Sequence, residues 1–322
     1  MSVKSLPAFV GAFGFFGTGN FAARCLELFL SWRAPSWIVT APPSRAGRGR
    51  GLSPTAVESF ARVALPDVPM LKSQSVSSDA AVLGLMERFP VCFSFVIDFG
   101  QIIKAPLLTS GRIGCLNIHP SLLPCYRGAA PIQRALMDGV REIGVSAFRL
   151  TERMDSGPVL LREKIQVRRG DDAWTLSERA ASVGTSAFIA CAGLPVDEWV
   201  FEPQDDSLAT YAPKIRTGEE RIEWGRSADE ICGAVRALCP KPGAWTTSRG
   251  RRLKVFRAFS VTNAADVSET PGELLGRMGA GVGVASGKGV IVLMEVQAEG
   301  KKIQEAAEWL NGLRAESGER LL

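Results

Sequence analysis

Histidine is almost missing from this sequence: of 322 residues only His119 carries an imidazole. The seven cysteines, Cys25, Cys92, Cys115, Cys125, Cys191, Cys232 and Cys239, form no Cys-x-x-Cys pair, and several sit inside apolar runs. One imidazole without clustered thiols supplies no donor set for a His/Cys metal site, so no metal is expected. Scattered cysteines in odd number read as buried, reduced thiols of a reducing compartment. No stretch approaches the roughly 18 uncharged apolar residues of a membrane span, so no membrane partner is expected. Internal repeats and low-complexity tracts are absent, and the first arginine is Arg24, so no arginine-rich transit character is expected in the stretch before it. The apolar opening "MSVKSLPAFVGAFGFFGTG" runs into Gly-Thr-Gly and a helical pattern instead of a small-residue cleavage site, and reads as a buried first strand.

What is present suits a globular protein. Hydrophobic residues make up 46% and charged residues 22%, with a formal net charge of +5 that is compatible with a polyanionic partner. The length is comfortable for two domains. The first half alternates strand-like runs ("AFVGAFGFFG", "SWIVTA", "VCFSFVIDFG", "IGCLNIHP", "GVSAFRLTE", "PVLLREKIQV") with helical patterns. The helix in "SPTAVESFARVA" is expected to start at a capping Ser53 followed by Pro54, and the one in "AWTLSERAASVGTSAFIACAG" at a capping box of Thr175 and Glu178. This rhythm predicts an α/β domain with a parallel-rich sheet covered by helices over residues 1–202. Residues 203–218 are polar and irregular and read as a linker. Beyond them one helix, "SADEICGAVRALC", and short strand-like pieces at close spacing predict a small β-barrel over 219–322.

Gly17-x-Gly19-x-x-Ala22 between strand and helix has the outline of a dinucleotide fingerprint, but the second strand ends Thr40-Ala41-Pro42-Pro43 without the carboxylate that would hold a ribose. A tight turn for another ligand, or none, fits better. Arg45, Arg48 and Arg50 lie in an acid-free Gly/Pro loop, either a solvated surface loop or one that tracks phosphates. From Ile231 to Thr262 there are seven basic residues, among them Arg249, Arg251, Arg252 and Lys254, and no acidic one, with Trp245 and Phe256 interleaved. The choice there is between a solvated charged face and a nucleic-acid surface. Asn117 and His119 are two apart on a strand end and so face the same side, and Asp155 lies in a turn that can return to that edge. An amide, an imidazole and a carboxylate are the parts needed for acyl transfer to a substrate that brings its own amine.

At "NIHPSLLPCYRGAAPIQRAL" together with "MDSG" the sequence resembles the folate-dependent formyltransferases, whose pattern is Asn-x-His-x-Ser-Leu-Leu-Pro with a distant Asp-[Ser/Thr]-Gly. "AGRGRGLSP", "TYAPKI", "RIEWGRSADEI", "LKVFRA" and "GKKI" extend the likeness over nearly the whole chain, and to the branch that formylates methionyl-tRNA. The resemblance implies a Rossmann-like catalytic domain followed by an open barrel of the OB type. It implies transfer of formyl from 10-formyltetrahydrofolate to methionyl-initiator tRNA by Asn117, His119 and Asp155, the aspartate fixing the tautomer of the histidine. Its folate contacts fall on Ser121, Leu122, Leu123 and Pro124, and its acceptor-binding loop on Arg45, Arg48 and Arg50; with a tRNA substrate the basic run adds Arg249, Arg251, Arg252 and Lys254 as expected phosphate contacts. A monomer in a bacterial cytoplasm, or in an organelle matrix, is the matching expectation. The chain departs from the family in having Gly19 where a proline is usual, Asp98 where a small residue is usual, and its loop arginine shifted by one position to Arg45. Two competing readings are a formyltransferase for small amines, which needs no basic barrel, and an RNA-binding protein on an inactive scaffold.

Overall fold

A computed structural model describes residues 11–46, 51–261, 270–314, 316 and 318–322. Its elements in chain order begin with β1 (Phe13–Gly17), α1 (Asn20–Phe29), β2 (Trp37–Thr40), β3 (Ser44–Ala46), β4 (Gly51–Ser53), α2 (Ala56–Ala64), β5 (Met70–Lys72), α3 (Ala80–Arg88), β6 (Phe93–Ile97) and β7 (Gly114–His119). They continue with α4 (Pro131–Met137), β8 (Glu142–Arg149), β9 (Val159–Gln166), α5 (Ala173–Cys191) and α6 (Ala228–Leu238). The last elements are β10 (Ala244–Ser248), β11 (Arg251–Val261), β12 (Leu274–Met278), β13 (Gly281–Ala285), β14 (Val290–Ala298), β15 (Gln304–Glu305) and α7 (Ala306–Leu313).

The chain divides into two compact units, one made of residues up to Gly128 with Ile143–Ile165 and Ser177–Tyr211, the other of Ala129–Glu142, Gln166–Leu176 and Ala212–Leu322. The segment read as a linker is shared between them, its residues through Tyr211 in the first unit and Ala212 onward in the second.

The first unit is built on a seven-stranded sheet of order β5-β2-β1-β6-β7-β8-β9. Its pairs from β5 to β7 are parallel, and β8 runs antiparallel to β7. Every residue of β1 and of β6 is buried, as the uninterrupted apolar runs require of central strands covered on both faces. Phe13, Phe29, Phe93, Phe95, Phe188 and Trp199 join strands and helices in one aromatic cluster, with Phe29 stacked on Phe95 at 4.4 Å and Phe95 edge-on to Phe188 at 4.8 Å. Fully burying one such ring contributes about 1.5–3 kcal/mol.

Two helix starts differ from expectation. The cap of α2 is Thr55, whose hydroxyl accepts the Glu58 N–H at 2.9 Å, while Ser53 ends β4. Thr55 also bonds Thr40 across 2.7 Å, which ties this cap to the end of β2. The start of α5 is held by Asp172, whose carboxylate accepts the Thr175 N–H at 2.8 Å while the Thr175 hydroxyl accepts the Asp172 N–H at 2.9 Å. The reciprocal pair therefore sits three residues upstream of the Thr175–Glu178 box. The residues flanking the basic loop form strands β3 and β4, which pair antiparallel with Arg45 opposite Leu52.

The second unit holds an antiparallel sheet of order β10-β11-β14-β13-β12, with β15 paired to β14. The path is open, ending at β10 and β12. Helix α6 begins with the capping box Ser227–Glu230 and buries Ile231, Val235 and Leu238 against Leu253, Val255, Ile291 and Leu293. Helix α4 also belongs to this unit. The Leu136 carbonyl oxygen lies 2.7 Å from where a Cβ on Gly233 of α6 would be, so only glycine admits this approach.

All seven cysteines are free. Burial pushes the Cys25, Cys115, Cys232 and Cys239 thiols up to about 12, which keeps them protonated and unreactive. Among the described residues no helix is long and apolar enough to cross a membrane.

Candidate active site

Strand β7 carries Asn117 and His119, opposite Phe148 and Ser146 of β8. Because β8 returns antiparallel, with Arg149 level with Leu116, the turn that follows it comes back beside β7. That turn holds Asp155 in the left-handed region, φ 49°. Its Oδ2 lies 3.8 Å from His119 Nδ1 and accepts the Gly128 N–H at 2.8 Å. The structure thus brings the three expected residues together.

The tautomer of His119 is set differently from expectation. Nε2 lies 2.9 Å from the Tyr126 carbonyl oxygen. A carbonyl only accepts, so Nε2 carries a hydrogen, and in the neutral ring the lone pair is on Nδ1. Asp155, beyond hydrogen-bond range of Nδ1, faces the nitrogen that is free to take up a proton. Tyr126 is left-handed at φ 58° and Gly128 at φ 129°, so this short bend aims one carbonyl at the imidazole and one N–H at the carboxylate. The imidazole is 5% exposed, and the Asn117 amide oxygen is buried without a hydrogen-bond partner. An unpaired buried acceptor costs stability, and a substrate N–H arriving there would satisfy it.

The four residues assigned to folate divide. Ser121 is buried and donates to the Cys125 carbonyl at 2.6 Å, and Leu123 is buried with Phe148 and Val159. Ser146 braces the bend, receiving the Leu123 N–H at 3.0 Å and donating to the Ser121 carbonyl at 2.7 Å. Leu122 and Pro124 are the two members with partly open side chains. Ser121 and Leu123 are therefore held inward, while Leu122, which packs over Gly144, and Pro124 keep part of their surface open.

The basic residues also divide. Arg48 and Arg50 lie outside the described residues, and of Arg45 the structure gives the backbone position in β3. The acid-free run in the second unit is not acid-free in space. Glu319 takes both Nε and Nη2 of Arg249, at 2.9 and 2.8 Å, and Glu295 lies 3.6 Å from Arg257. Arg251 and Arg252 are exposed. Arg252 stacks over Trp245 at 4.1 Å, with Arg221 on the same ring at 5.9 Å, and Lys254 donates to the Pro242 carbonyl at 2.6 Å. A bulge between Val255 and Ala258 re-aims β11 and brings Arg257, together with Arg169, over Phe259. Arg169 lies far from the run in the chain, and Arg221 is cut off from it by Glu223, Asp229 and Glu230, so linear charge marks neither.

Asp98, unexplained by sequence, is also left-handed, φ 45°. Its backbone oxygen accepts the Thr18 and Gly19 N–H groups at 3.1 and 3.2 Å, and its side chain receives the Phe21 N–H in the first turn of α1. The carboxylate thereby occupies the helix start where a dinucleotide phosphate would lie. Burial pushes its carboxyl above the usual range, with the Phe21 N–H opposing.

Residues 16–191 match the family model described as "Formyl transferase", and residues 214–314 match "Formyl transferase, C-terminal domain". A methionyl-tRNA formyltransferase of Dictyoglomus thermophilum is 35% identical over 95% of this chain and 98% of its own length. One from Pseudomonas entomophila is 38% identical over 93% and 95%. The N-formyltransferase from Helicobacter canadensis, solved with folinic acid and dTDP-3-aminofucose, shares the fold at a TM-score of 0.63 and 15% identity, covering 89% of this chain and 98% of that one. Both halves of the pattern, the Asn-x-His strand with its aspartate turn and the antiparallel unit after it, are therefore inherited together, and the chain belongs to the methionyl-tRNA formyltransferase family.

Proposed function

We propose that this protein transfers the formyl group of 10-formyltetrahydrofolate to the free amine of methionyl-initiator tRNA, with Asn117, His119 and Asp155 as the reacting constellation. The observation that carries the reading is the imidazole held between the Tyr126 carbonyl and the Asp155 carboxylate, beside an amide with an unsatisfied oxygen. The amine nitrogen attacks the formyl carbon, and negative charge develops on the formyl oxygen. The Asn117 amide N–H donates to that oxygen, and its carbonyl accepts an N–H of the attacking amine. Nδ1 of His119 takes the proton the amine loses, and the resulting imidazolium faces Asp155. The same proton passes to the folate nitrogen as its bond to the formyl carbon breaks, which leaves tetrahydrofolate and the formylated amine. One preorganised oxyanion donor is worth about 2.7–4 kcal/mol in such a step.

Leu122 and Pro124 offer partly open apolar surface to the folate. The exposed Arg251 and Arg252, with Lys254, suit the phosphates of a tRNA. The test is incubation with labelled 10-formyltetrahydrofolate and either charged initiator tRNA or small amines such as glycinamide ribonucleotide and amino-sugar nucleotides. Label in the aminoacyl-tRNA alone is expected. Label in a small amine, or none at all, would overturn the reading.

A further inference from the structure

We propose that Gln204 is a positioning residue for the reaction: it links the buried Arg127 to the backbone of the Asp155 turn and so sets where the Asp155 carboxylate stands. This rests on the reading of Asn117, His119 and Asp155 as the formyl-transfer site. Gln204 lies in the stretch that composition marks as a linker, yet its amide is fully employed. Its Nε2 donates to the carbonyl oxygens of Asp155, at 2.8 Å, and of Gly157, at 2.7 Å. Its Oε1 accepts from Nε and Nη2 of Arg127, at 3.1 and 2.8 Å. A guanidinium only donates and a carbonyl only accepts, so the amide has one orientation here, and flipping it would break four bonds.

Arg127 is itself fixed. It is 2% exposed, its Nη2 also reaches Asp206 at 2.8 Å, and its N–H bonds the Thr210 carbonyl at 2.9 Å. A buried guanidinium is costly unless its donors are met, which gives the cluster one arrangement. Its neighbours in the chain serve the site directly, Tyr126 through its carbonyl on His119 and Gly128 through its N–H on Asp155. One three-residue bend therefore grips the imidazole and, by way of Gln204, the turn that carries the carboxylate. The left-handed Asp155 needs such external support, because its own conformation does not favour the turn.

The test is the intact protein carrying Gln204→Glu, which keeps an acceptor for Arg127 but replaces the donors to Asp155 and Gly157 by lone pairs. Melting temperature and near-ultraviolet circular dichroism verify folding, and steady-state formylation of methionyl-tRNA is measured for the wild type, Gln204→Glu, Asp155→Ala and the double variant. We expect kcat of Gln204→Glu to fall by at least about tenfold, since a misplacement of about 1 Å can cost on the order of a hundredfold. KM for both substrates should stay within about twofold, because neither substrate is bound by Gln204. The double variant should be no slower than Asp155→Ala alone, the mark of action through one group. A wild-type kcat in Gln204→Glu, or losses that multiply in the double variant, would overturn the proposal. Should Gln204→Glu not fold, Gln204→Asn, which keeps the amide but shortens its reach, enters the same cycle with the same criteria. If Asp155→Ala is impaired while the Gln204 variant is not, the linkage alone fails; if Asp155→Ala turns over normally, the reading of the site fails first.

Discussion

The Asp98 carboxylate fills the space that a side chain on Gly19 would need. The closeness of the two couples them: a carboxylate over the turn demands glycine beneath it. The backbone of Gly19, φ −85°, remains close to what proline adopts. Gly19→Ala alone should therefore destabilise the protein by about 1–3 kcal/mol through overpacking, and adding Asp98→Ala should recover most of that loss; Gly19→Pro should lose more, because it also removes the Gly19 N–H that bonds the Asp98 carbonyl. Thermal melts of the single and double variants decide it; equal losses with and without Asp98→Ala would show that the two positions are independent.

Because that carboxylate already takes the Phe21 N–H at the start of α1, a phosphate there would find the helix start occupied. Fluorescence titration with NADH or NADPH is expected to give no saturable signal. A micromolar dissociation constant for either would contradict this account of the glycine turn.

His119→Ala and Asp155→Ala are each expected to lower kcat by at least about a hundredfold, with folate affinity much less affected. Single-turnover formylation, alongside a direct binding measurement for the folate, separates the two effects. Near-normal turnover in folded His119→Ala would exclude the imidazole as proton acceptor.

The arginines of the second unit should separate by their partners. Arg252→Ala and Lys254→Ala should weaken tRNA binding and flatten its salt dependence, by about 0.9 in log–log slope for each duplex phosphate left without its cation. Arg249, gripped by Glu319 across two bonds, should behave as a structural residue, and Arg249→Ala should lower the melting temperature with little change in tRNA affinity. A salt slope that flattens for Arg249→Ala and not for Arg252→Ala would reverse the assignment.

Glu230 shows a pH dependence whose sign follows from its bonds. The Ser227 hydroxyl, the Ser227 N–H and Arg226 hold its carboxyl down at about 2, against 4.5 unperturbed. A depressed native value stabilises the fold above the unfolded value and loses that effect as pH falls. The melting-temperature gap between wild type and Glu230→Gln should be full at neutral pH, shrink below about 4.5 and vanish near 2. A gap that stays constant over that range would mean that the capping box contributes nothing through charge.

The site was legible in the sequence where side chains do the work. Asn117 and His119 stand out by spacing, rarity and motif, and Asp155 by its turn. What escaped is work done by the backbone. The tautomer of His119 depends on the Tyr126 carbonyl, and the Asp155 carboxylate on the Gly128 N–H, neither of which leaves a mark in residue type. Gln204 escaped because a polar, irregular stretch looks alike whether solvated or bonded inward. The parallel sheet was readable from the buried runs of β1 and β6, whereas the short strand β5 and the helices α3, α4 and α7 carry weak patterns. The linear charge of the basic run does not show Glu319 beside Arg249 or Glu295 beside Arg257, which only folding brings near.

The covering of Gly233 by Leu136 bears on how this chain can be dissected. Helix α4 is encoded almost a hundred residues before α6, yet it forms part of the second unit's interior, with Arg134 of α4 bonded to Glu219. A proteolytic or recombinant fragment starting at Ala212 would bare the apolar flank of α6 and strip Glu219 of its partner. Such a fragment should be prone to aggregation, and gene fusions that exchange the C-terminal hundred residues between relatives should succeed only when Pro131–Met137 travels with them.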